Sequence, residues 1–273
     1  MSMLRMMSQA KNAIEAYNTA LEATSSNIAN MNVSGYKRLD VSFQSIFESI
    51  LNRGTAAYGN MGGKNPMQTG QGSAVSSVSV DFSAGEKIDG STLDLAINGA
   101  GLFIVSGDEG ASKHYTRSGN FEIDAFGNLT SNNMQVYGLN ASGTLVPITG
   151  LPSGTKSDYS WLADGTLEYS ADGGATYNST GYRIALTYFA NPNGLIQTQG
   201  TAFAETVASG SPAIAQSPGG AVGSINPGQL EQSNVFYLSE TIDAMGIQRA
   251  MNGNLTMIRM ASDMISQFIN RLS

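Results

Sequence analysis

The chain of 273 residues has no cysteine, and only 13% of its residues are charged. The absence of cysteine excludes disulfides, thiolate metal sites and cysteine nucleophiles. The net charge of −7 leaves no basic surface to neutralise phosphates, so we expect no nucleic-acid partner. No apolar run approaches the roughly 18 residues of a membrane-spanning helix.

The start of the chain also lacks the uninterrupted apolar segment of a secretion signal. Polar residues divide it at short intervals, namely at Gln9, Lys11, Asn12, Glu15 and Asn18. We therefore expect no cleavable signal.

Apolar residues near the N-terminus recur with a period of seven. One position of the repeat holds Met7, Ile14, Leu21 and Ile28, and the position three residues later holds Met3, Ala10, Tyr17, Thr24 and Met31. No proline or glycine precedes Gly35. The pattern predicts a coiled-coil helix within residues 1–32.

The C-terminus shows a second heptad pattern. Its apolar stripe steps alternately by four and three residues through Met251, Leu255, Ile258, Ser262, Ile265, Ile269 and Leu272. Leu238, Ile242 and Met245 extend the stripe upstream in a slightly different phase. We predict a helix from about Ser233 to the end, so that residues 232–273 complete a terminal helical domain. Because Gly253 lies inside it, this helix should draw stability from neighbours.

Residues 76–228 have the period-two pattern and frequent turn sequences of a β-rich domain with a return connection to the last helix. Predicted strands are Ala74–Phe82, Leu93–Ile97, Leu102–Val105 and Tyr182–Phe189. Residues 33–75 form an extended linker in this interpretation, because 54–72 is rich in Gly, Asn and Gln. Phe43, Ile46, Phe47, Ile50 and Leu51 are nevertheless spaced for two helical turns.

The predicted fold class is therefore α+β, with terminal helices paired as a coiled coil and an inserted all-β central domain. Two helices bury too little apolar surface to be stable alone, so the remainder should meet other subunits. The chain would then be a homopolymer subunit. The alternative is an ordinary monomer in which both helices pack on the β domain.

Candidate sites for chemistry are weak, and we predict no catalytic, cofactor-binding or metal site and no small-molecule substrate. His114 is the only histidine and has no identifiable triad partners. Gly99-Ala100-Gly101 lacks the helix and lysine of a phosphate loop, so we interpret it as a hairpin. The turns Asp124–Asn128 and Asp172–Gly174 lack the ligand pattern of an EF-hand calcium loop.

Two classes other than a polymer subunit remain. Acidic pairs, Asp108 with Glu109 and Glu122 with Asp124, are compatible with a glycosidase acting on the cell wall. A secreted adhesin would use the β domain for binding and the heptads as a stalk. An adhesin has no need for matching helices at both ends, whereas a polymer subunit does.

Several segments resemble one family, the bacterial flagellar rod and hook proteins. The segment from Ser26 to Arg38 is similar to the family's N-terminal motif through Asn27, Asn30, Gly35, Tyr36 and Lys37. The segments 93–103 and 115–121 resemble its entry to the β domain. Residues Ser233, Asn234, Gln248 and Arg249 resemble its C-terminal helix.

The resemblance implies a structural subunit of the flagellar basal body or hook, not an enzyme. The terminal helices would form an inner coiled-coil tube with the β domain outside, and the rod would transmit torque. Implied partners are further copies of the chain, neighbouring rod and hook proteins, and the flagellar type III export apparatus. The length fits a rod protein with one β domain, the distal rod first, with hook or proximal rod proteins as alternatives.

Overall fold

A computed structural model of the protein describes residues 2–46, 49–52, 54, 56, 58, 62–65, 67–70, 72–108 and 110–272. The chain forms two compact units. The first contains Met1–Ile28, Leu39–Val78 and Tyr237–Ser273, and the second contains Ala29–Arg38 and Ser79–Phe236. Each unit is thus assembled from segments that are far apart in the sequence.

The described residues of the first unit form two long helices and four short strands. They are α1 (Ser2–Ala29), β1 (Leu39–Ser45), β2 (Ser49–Asn52), β3 (Met67–Thr69), β4 (Ser73–Val80) and α2 (Tyr237–Leu272). β1 pairs with β4, and β2 pairs with β3 in an antiparallel ladder. None of the described helices is long and apolar enough to cross a bilayer.

Helix α1 has two faces of different composition. Small side chains are buried along one face, at Ala10, Ala13, Ala16, Ala20 and Ala23. Polar side chains lie exposed at heptad spacing along the other, at Ser8, Lys11, Glu15, Asn18, Glu22 and Ser25. Because the period of both stripes matches the helix, the sequence favours one helix with one buried face.

Two details of local structure differ from what the sequence patterns suggest. The segment around Phe43 and Ile50 is not helical, because these residues lie in strands β1 and β2. Phe47 lies outside the described residues. Short apolar runs fit both helix and strand periods, and here the pairing partners β4 and β3 decide the outcome. Helix α2 also begins at Tyr237, four residues after the predicted start at Ser233.

The part of the second unit that the structure describes contains sixteen strands. They are β5 (Lys87–Asp89), β6 (Leu95–Asn98), β7 (Leu102–Ser106), β8 (His114–Thr116), β9 (Glu122–Ile123), β10 (Leu129–Ser131), β11 (Met134–Leu139), β12 (Leu145–Pro147), β13 (Tyr159–Trp161), β14 (Thr166–Tyr169), β15 (Asn178–Ile184), β16 (Leu186–Thr187), β17 (Ile196–Gln197), β18 (Ala202–Ala204), β19 (Ser224–Pro227) and β20 (Gln229–Glu231). Lys156–Asp158 and Pro192–Gly194 form short 3-10 turns.

Most of these strands belong to one twelve-stranded sheet, whose main path runs β13-β14-β15-β11-β7-β8-β18-β17. Its apolar side chains form one core that includes Phe103, Phe121 and Trp161. The Trp161 indole nitrogen donates to the Leu93 carbonyl oxygen over 2.7 Å, which satisfies the one polar atom of that ring.

Two separate ladders join the early and late parts of the β-rich sequence. β6 pairs with β19, placing Ile97 opposite Ile225, and β5 pairs with β20, placing Lys87 opposite Glu231. The predicted hairpin at Gly99-Ala100-Gly101 is therefore wrong, because β6 and β7 pair with other strands. The glycines instead carry the chain from one sheet to the next, with φ of 104° and 139°.

Candidate functional site

The inward stripe of α2 follows a heptad more regularly than the sequence suggested. Glu240 and Ala261 are buried, and half-buried residues lie between and beyond them at Ala244, Ile247, Met251, Asn254, Ile258 and Ile265. The steps of four and three are those of a coiled-coil seam. Of the predicted assembly residues, Met251, Ile258 and Ile265 lie on this stripe, whereas Leu255 and Ile269 are exposed. The side chain of Leu272 is outside the described part of the chain.

In α1 the predicted heptad residues flank the buried alanines. Met7, Ile14, Tyr17, Leu21 and Ile28 are all half-buried. The Tyr17 ring also contacts Phe43 of β1, with ring centroids 5.8 Å apart. The tightest packing thus falls on small side chains, which allow another element to approach the helix backbone closely.

One residue links three elements of the first unit. Asn27 donates through its Nδ2 to the Leu39 carbonyl oxygen (3.0 Å) and to Glu240 Oε2 (3.1 Å), and its Oδ1 accepts from the Leu39 amide (2.9 Å). Asn27 and Glu240 are both buried. The amide therefore connects the end of α1 to the start of β1 and to the first turn of α2.

A broad apolar surface of α2 remains uncovered. We call it the outer apolar face of α2, and it consists of Leu238, Ile242, Met245, Met257, Met260, Met264 and Phe268. These side chains are between 40% and 64% exposed. They lie in two groups along the helix, separated by polar residues and glycine. Apolar surfaces of this extent usually mark contacts between proteins.

The second unit holds a buried charge cluster formed by Lys37, Arg117 and Glu231. Lys37 Nζ lies 2.6 Å from Glu231 Oε1, and Arg117 Nε lies 3.6 Å from Glu231 Oε2. Lys37 also donates to the Ser83 carbonyl oxygen (2.7 Å), and Arg117 Nη2 donates to that of Gly99 (2.8 Å). Two cations share one carboxylate, so the cluster has excess positive charge.

Burial governs the protonation of this cluster. Loss of hydration lowers the pKa of Lys37, and the attraction of Glu231 opposes the effect. Loss of hydration also lowers the pKa of Arg117, again opposed by Glu231. Removing either partner would therefore leave a buried charge with too little compensation.

Gly35 and Tyr36 of the N-terminal motif lie beside the cluster. The Gly35 amide donates to the Glu231 carbonyl oxygen over 2.8 Å, and Tyr36 is buried. Gly35 has φ of +72°, and a Cβ added there would lie 2.3 Å from the Ser118 amide nitrogen. Glycine is thus required at this position for two independent reasons, conformation and space.

The C-terminal motif contacts the chain directly beside Lys37. Asn234 Oδ1 accepts from the Arg38 amide (2.8 Å), and its Nδ2 donates to the Asp81 carbonyl oxygen (2.8 Å). Ser233 Oγ accepts from the Val235 amide (3.3 Å), and the Asn30 carbonyl oxygen accepts from the Val33 amide. These are local turn bonds. The two remaining motif residues, Gln248 and Arg249, are exposed on α2.

The motifs at the two ends of the chain are therefore brought together in part. Lys37, Gly35 and Asn234 belong to one network, whereas Gln248 and Arg249 lie elsewhere. Sequence reasoning did not single out Arg117 or Glu231 as site residues. Arg117 lies in the segment 115–121 that carries the family resemblance, and Glu231 lies two residues before Ser233 of the C-terminal motif.

The weak chemical candidates have structural roles. His114 is half-buried in β8. Asp124 accepts from the amides of Phe126 and Asn128 (2.8 Å each), and the Asn128 amide is the main reason that the pKa of Asp124 lies below its usual value. Glu122 pairs with Lys156 at 3.2 Å, and Glu109 lies outside the described residues. Within the described residues, no cluster of His, Asp or Glu side chains could hold a metal ion.

Two known protein families match separate segments of the chain. The family described as "Flagella basal body rod protein" matches residues 7–37, and that described as "Flagellar hook protein FlgE/F/G D1 domain" matches residues 96–153. The first match ends at Lys37 of the charge cluster. The second includes Arg117.

Individual relatives extend the similarity to nearly the whole chain. The flagellar basal-body rod protein FlgG of Bacillus subtilis is 31% identical over 98% of this chain and 99% of its own length. FlgG of Agrobacterium fabrum is 29% identical over 96% of this chain and 97% of its own. The flagellar hook protein FlgE of Helicobacter mustelae is 38% identical, but over 48% of this chain and 29% of its own length.

Proposed function

Because the chain belongs to the family of bacterial flagellar rod and hook proteins, we propose that it is a rod subunit that polymerises through its two terminal helices. The observation that carries the proposal is the outer apolar face of α2, which a monomer leaves in water. As a member of this family, the protein is a structural subunit of the flagellar axis, in the basal body or hook.

A rod position is supported by how the relatives match. The two FlgG rod proteins align with almost their full length, whereas the hook protein aligns with less than a third of its own. The chain therefore has the extent of a rod protein with one β-rich unit. We propose the distal rod as its place, as the length already suggested.

The helices are suited to pair with each other. The buried alanines of α1 offer a narrow face, and α2 presents an inward seam at heptad spacing. The Asn27–Glu240 hydrogen bond links the two helices at one end. Pairing in this way would leave the outer apolar face of α2 available for the next subunit.

Further partners follow from a place in the axis. We propose that neighbouring rod and hook proteins contact the two ends of the polymer, and that the chain reaches its site through the flagellar type III export apparatus. A packed polymer of this kind would transmit torque along the axis.

The test uses the full-length protein and two matched variants. Met260→Glu with Met264→Glu places two carboxylates on the outer apolar face of α2. Ser262→Glu with Ser266→Glu adds the same charge at the same spacing, at two exposed polar positions of the helix. Electron microscopy of concentrated samples should show filaments for the wild type and the serine variant only.

Circular dichroism and the fluorescence of Trp161 would show whether each variant is folded. Filaments of normal length from the folded Met260/Met264 variant would overturn the proposed role of this face. A hook subunit is the second candidate, because one matching family is described by the hook D1 domain. Polymers that are straight under all conditions support the rod, and curved polymers support the hook.

A further inference from the structure

A turn at the end of one β-hairpin presents an isolated aromatic side chain. Phe126 lies between β9 and β10 and is 86% exposed. Its amide donates to Asp124 Oδ1 over 2.8 Å, and a Cβ added at the next residue, Gly127, would lie 2.4 Å from the Leu151 carbonyl oxygen. The turn is therefore fixed both by hydrogen bonds and by close packing on its neighbour.

The same unit contains an apolar pocket with a volume of about 350 Å³. We call it the Phe82 pocket, and its apolar walls include Phe82, Leu102, Tyr188 and Phe189. Arg117 of the charge cluster also lines it. An aromatic ring suits such a site, because it can pack against the other rings while a guanidinium group attracts its face.

We propose that Phe126 of one subunit inserts into the Phe82 pocket of the next copy of the chain. The proposal rests on the polymer proposed above and adds a contact between β-rich units to it. Charge favours the same pairing, since Asp124 lies two residues before Phe126 and the cluster behind the pocket has excess positive charge.

Phe126 does not line the pocket of its own chain. It is exposed, and hydrogen bonds and the Leu151 contact hold its turn in place. A protruding residue on one copy and a pocket elsewhere on the next form a heterologous contact. Contacts of this type repeat from subunit to subunit and build open helical polymers when the rotation between subunits does not close a ring.

Insertion of Phe126 buries too little surface to hold two subunits together by itself. A buried phenylalanine removes about 150–250 Å² from water, whereas a stable interface covers at least roughly 1,200 Å² in total. It should therefore strengthen a polymer already held by the helices. Phe126→Ala should raise the critical concentration for assembly about ten-fold, the effect expected for loss of an aromatic anchor. Ala100→Trp, which fills the pocket mouth from an exposed position, should do the same.

A cross-linking experiment tests the contact directly, since the chain has no cysteine of its own. Full-length chains that contain both Phe126→Cys and Ala100→Cys should form a ladder of covalent oligomers when oxidised under assembly conditions. The matched control contains Ala100→Cys with Val207→Cys, because Val207 is another fully exposed apolar residue. It should remain monomeric on a denaturing gel.

The possible results distinguish failure of the Phe126 contact from failure of the proposed rod polymer. A ladder that exceeds the control supports the contact, even if electron microscopy shows no filaments and the rod proposal fails. Filaments with no more cross-linking than the control overturn the contact and leave the rod proposal standing. A cross-linked species with the mobility of a monomer also overturns it, because the bond would then lie within one chain.

Discussion

Lys37 Nζ donates to Glu231 Oε1 over 2.6 Å, although 194 residues separate the two in the sequence. Both side chains are fully buried. The segment that follows the first helix and the segment that precedes the last one are therefore held at one point of the β-rich unit. A substitution that breaks this ion pair should therefore destabilise the packing of both segments together.

Glu231→Ala should destabilise the β-rich unit by about 3–5 kcal/mol, because it leaves Lys37 and Arg117 buried without their carboxylate. Urea unfolding followed by the fluorescence of Trp161, the only tryptophan, measures the change. The double variant Lys37→Met with Glu231→Leu removes both charges of the closest pair and should recover part of the loss. A double variant less stable than Glu231→Ala would contradict this account.

Gly35→Ala should lower the free energy of unfolding far more than the same substitution at a glycine with open space around it. Gly143 has φ of +75°, close to the +72° of Gly35, but a Cβ added there would meet no atom within 4 Å. Gly143→Ala should thus cost about 1 kcal/mol from backbone conformation alone. Gly35→Ala adds the clash with the Ser118 backbone and should cost at least about 3 kcal/mol. Equal melting temperatures for the two variants would show that the clash is relieved.

Alkaline pH should weaken the β-rich unit through two tyrosines. Burial and then the nearby charge of Glu205 raise the pKa of Tyr115 to about 12, and burial followed by Tyr169 and Asp158 raises that of Tyr159 to about 12. A folded-state pKa above the unfolded value of 10.0 means that this stability is complete below pH 10 and is lost as the pH rises toward 12.

Tyrosine-to-phenylalanine substitutions distinguish the contribution of the tyrosines to this pH dependence from that of other groups that titrate in the same pH range. Burial lowers the pKa of Lys37, so its contribution rises with pH and has the opposite sign. Tyr159→Phe should reduce the loss of stability between pH 10 and 12, measured by urea unfolding at each pH. Tyr177→Phe removes a hydroxyl from an exposed ring and serves as the control. An unchanged slope in Tyr159→Phe would contradict the assignment.

Ala20→Leu should disturb the first unit, because Ala20 lies on the buried face of α1 with 3% exposure. Overpacking a tight contact costs about 1–3 kcal/mol. Asn18→Leu adds a leucine to the exposed face of the same helix and should leave its stability almost unchanged. Helix content during thermal unfolding, measured by circular dichroism, compares the two. Equal melting curves would show that the alanine face has room for larger side chains.

The sequence predicts the two helices and the β-rich centre well, because long periodic patterns admit few alternatives. It predicts less well which residues of a helix are buried. The heptad favours Leu21 and Ile28, but Ala20 and Ala23 are buried more deeply than either. Hydropathy favours large apolar side chains, whereas close packing of helices favours small ones.

Long-range pairing explains most of what could not be predicted. Nothing local marks Lys37 as buried, since a lysine in a turn is usually solvated. Its position depends on Glu231, and strand β1 depends on β4, which follows it by more than 25 residues. The sequence predicts a hairpin at Gly99–Gly101 because the two strands beside it are adjacent in sequence. Their partners, β19 and β8, decide the topology instead.

The ladder that places Ile97 opposite Ile225 sets the order of events during protein synthesis. A ribosome must add more than a hundred further residues after Ile97 before its partner strand exists. Contacts between such distant residues also form slowly, because a long loop must close first. The growing chain therefore cannot complete its β-rich unit until synthesis is almost finished, and the unfolded chain persists for longer than it would in a fold built from neighbouring hairpins.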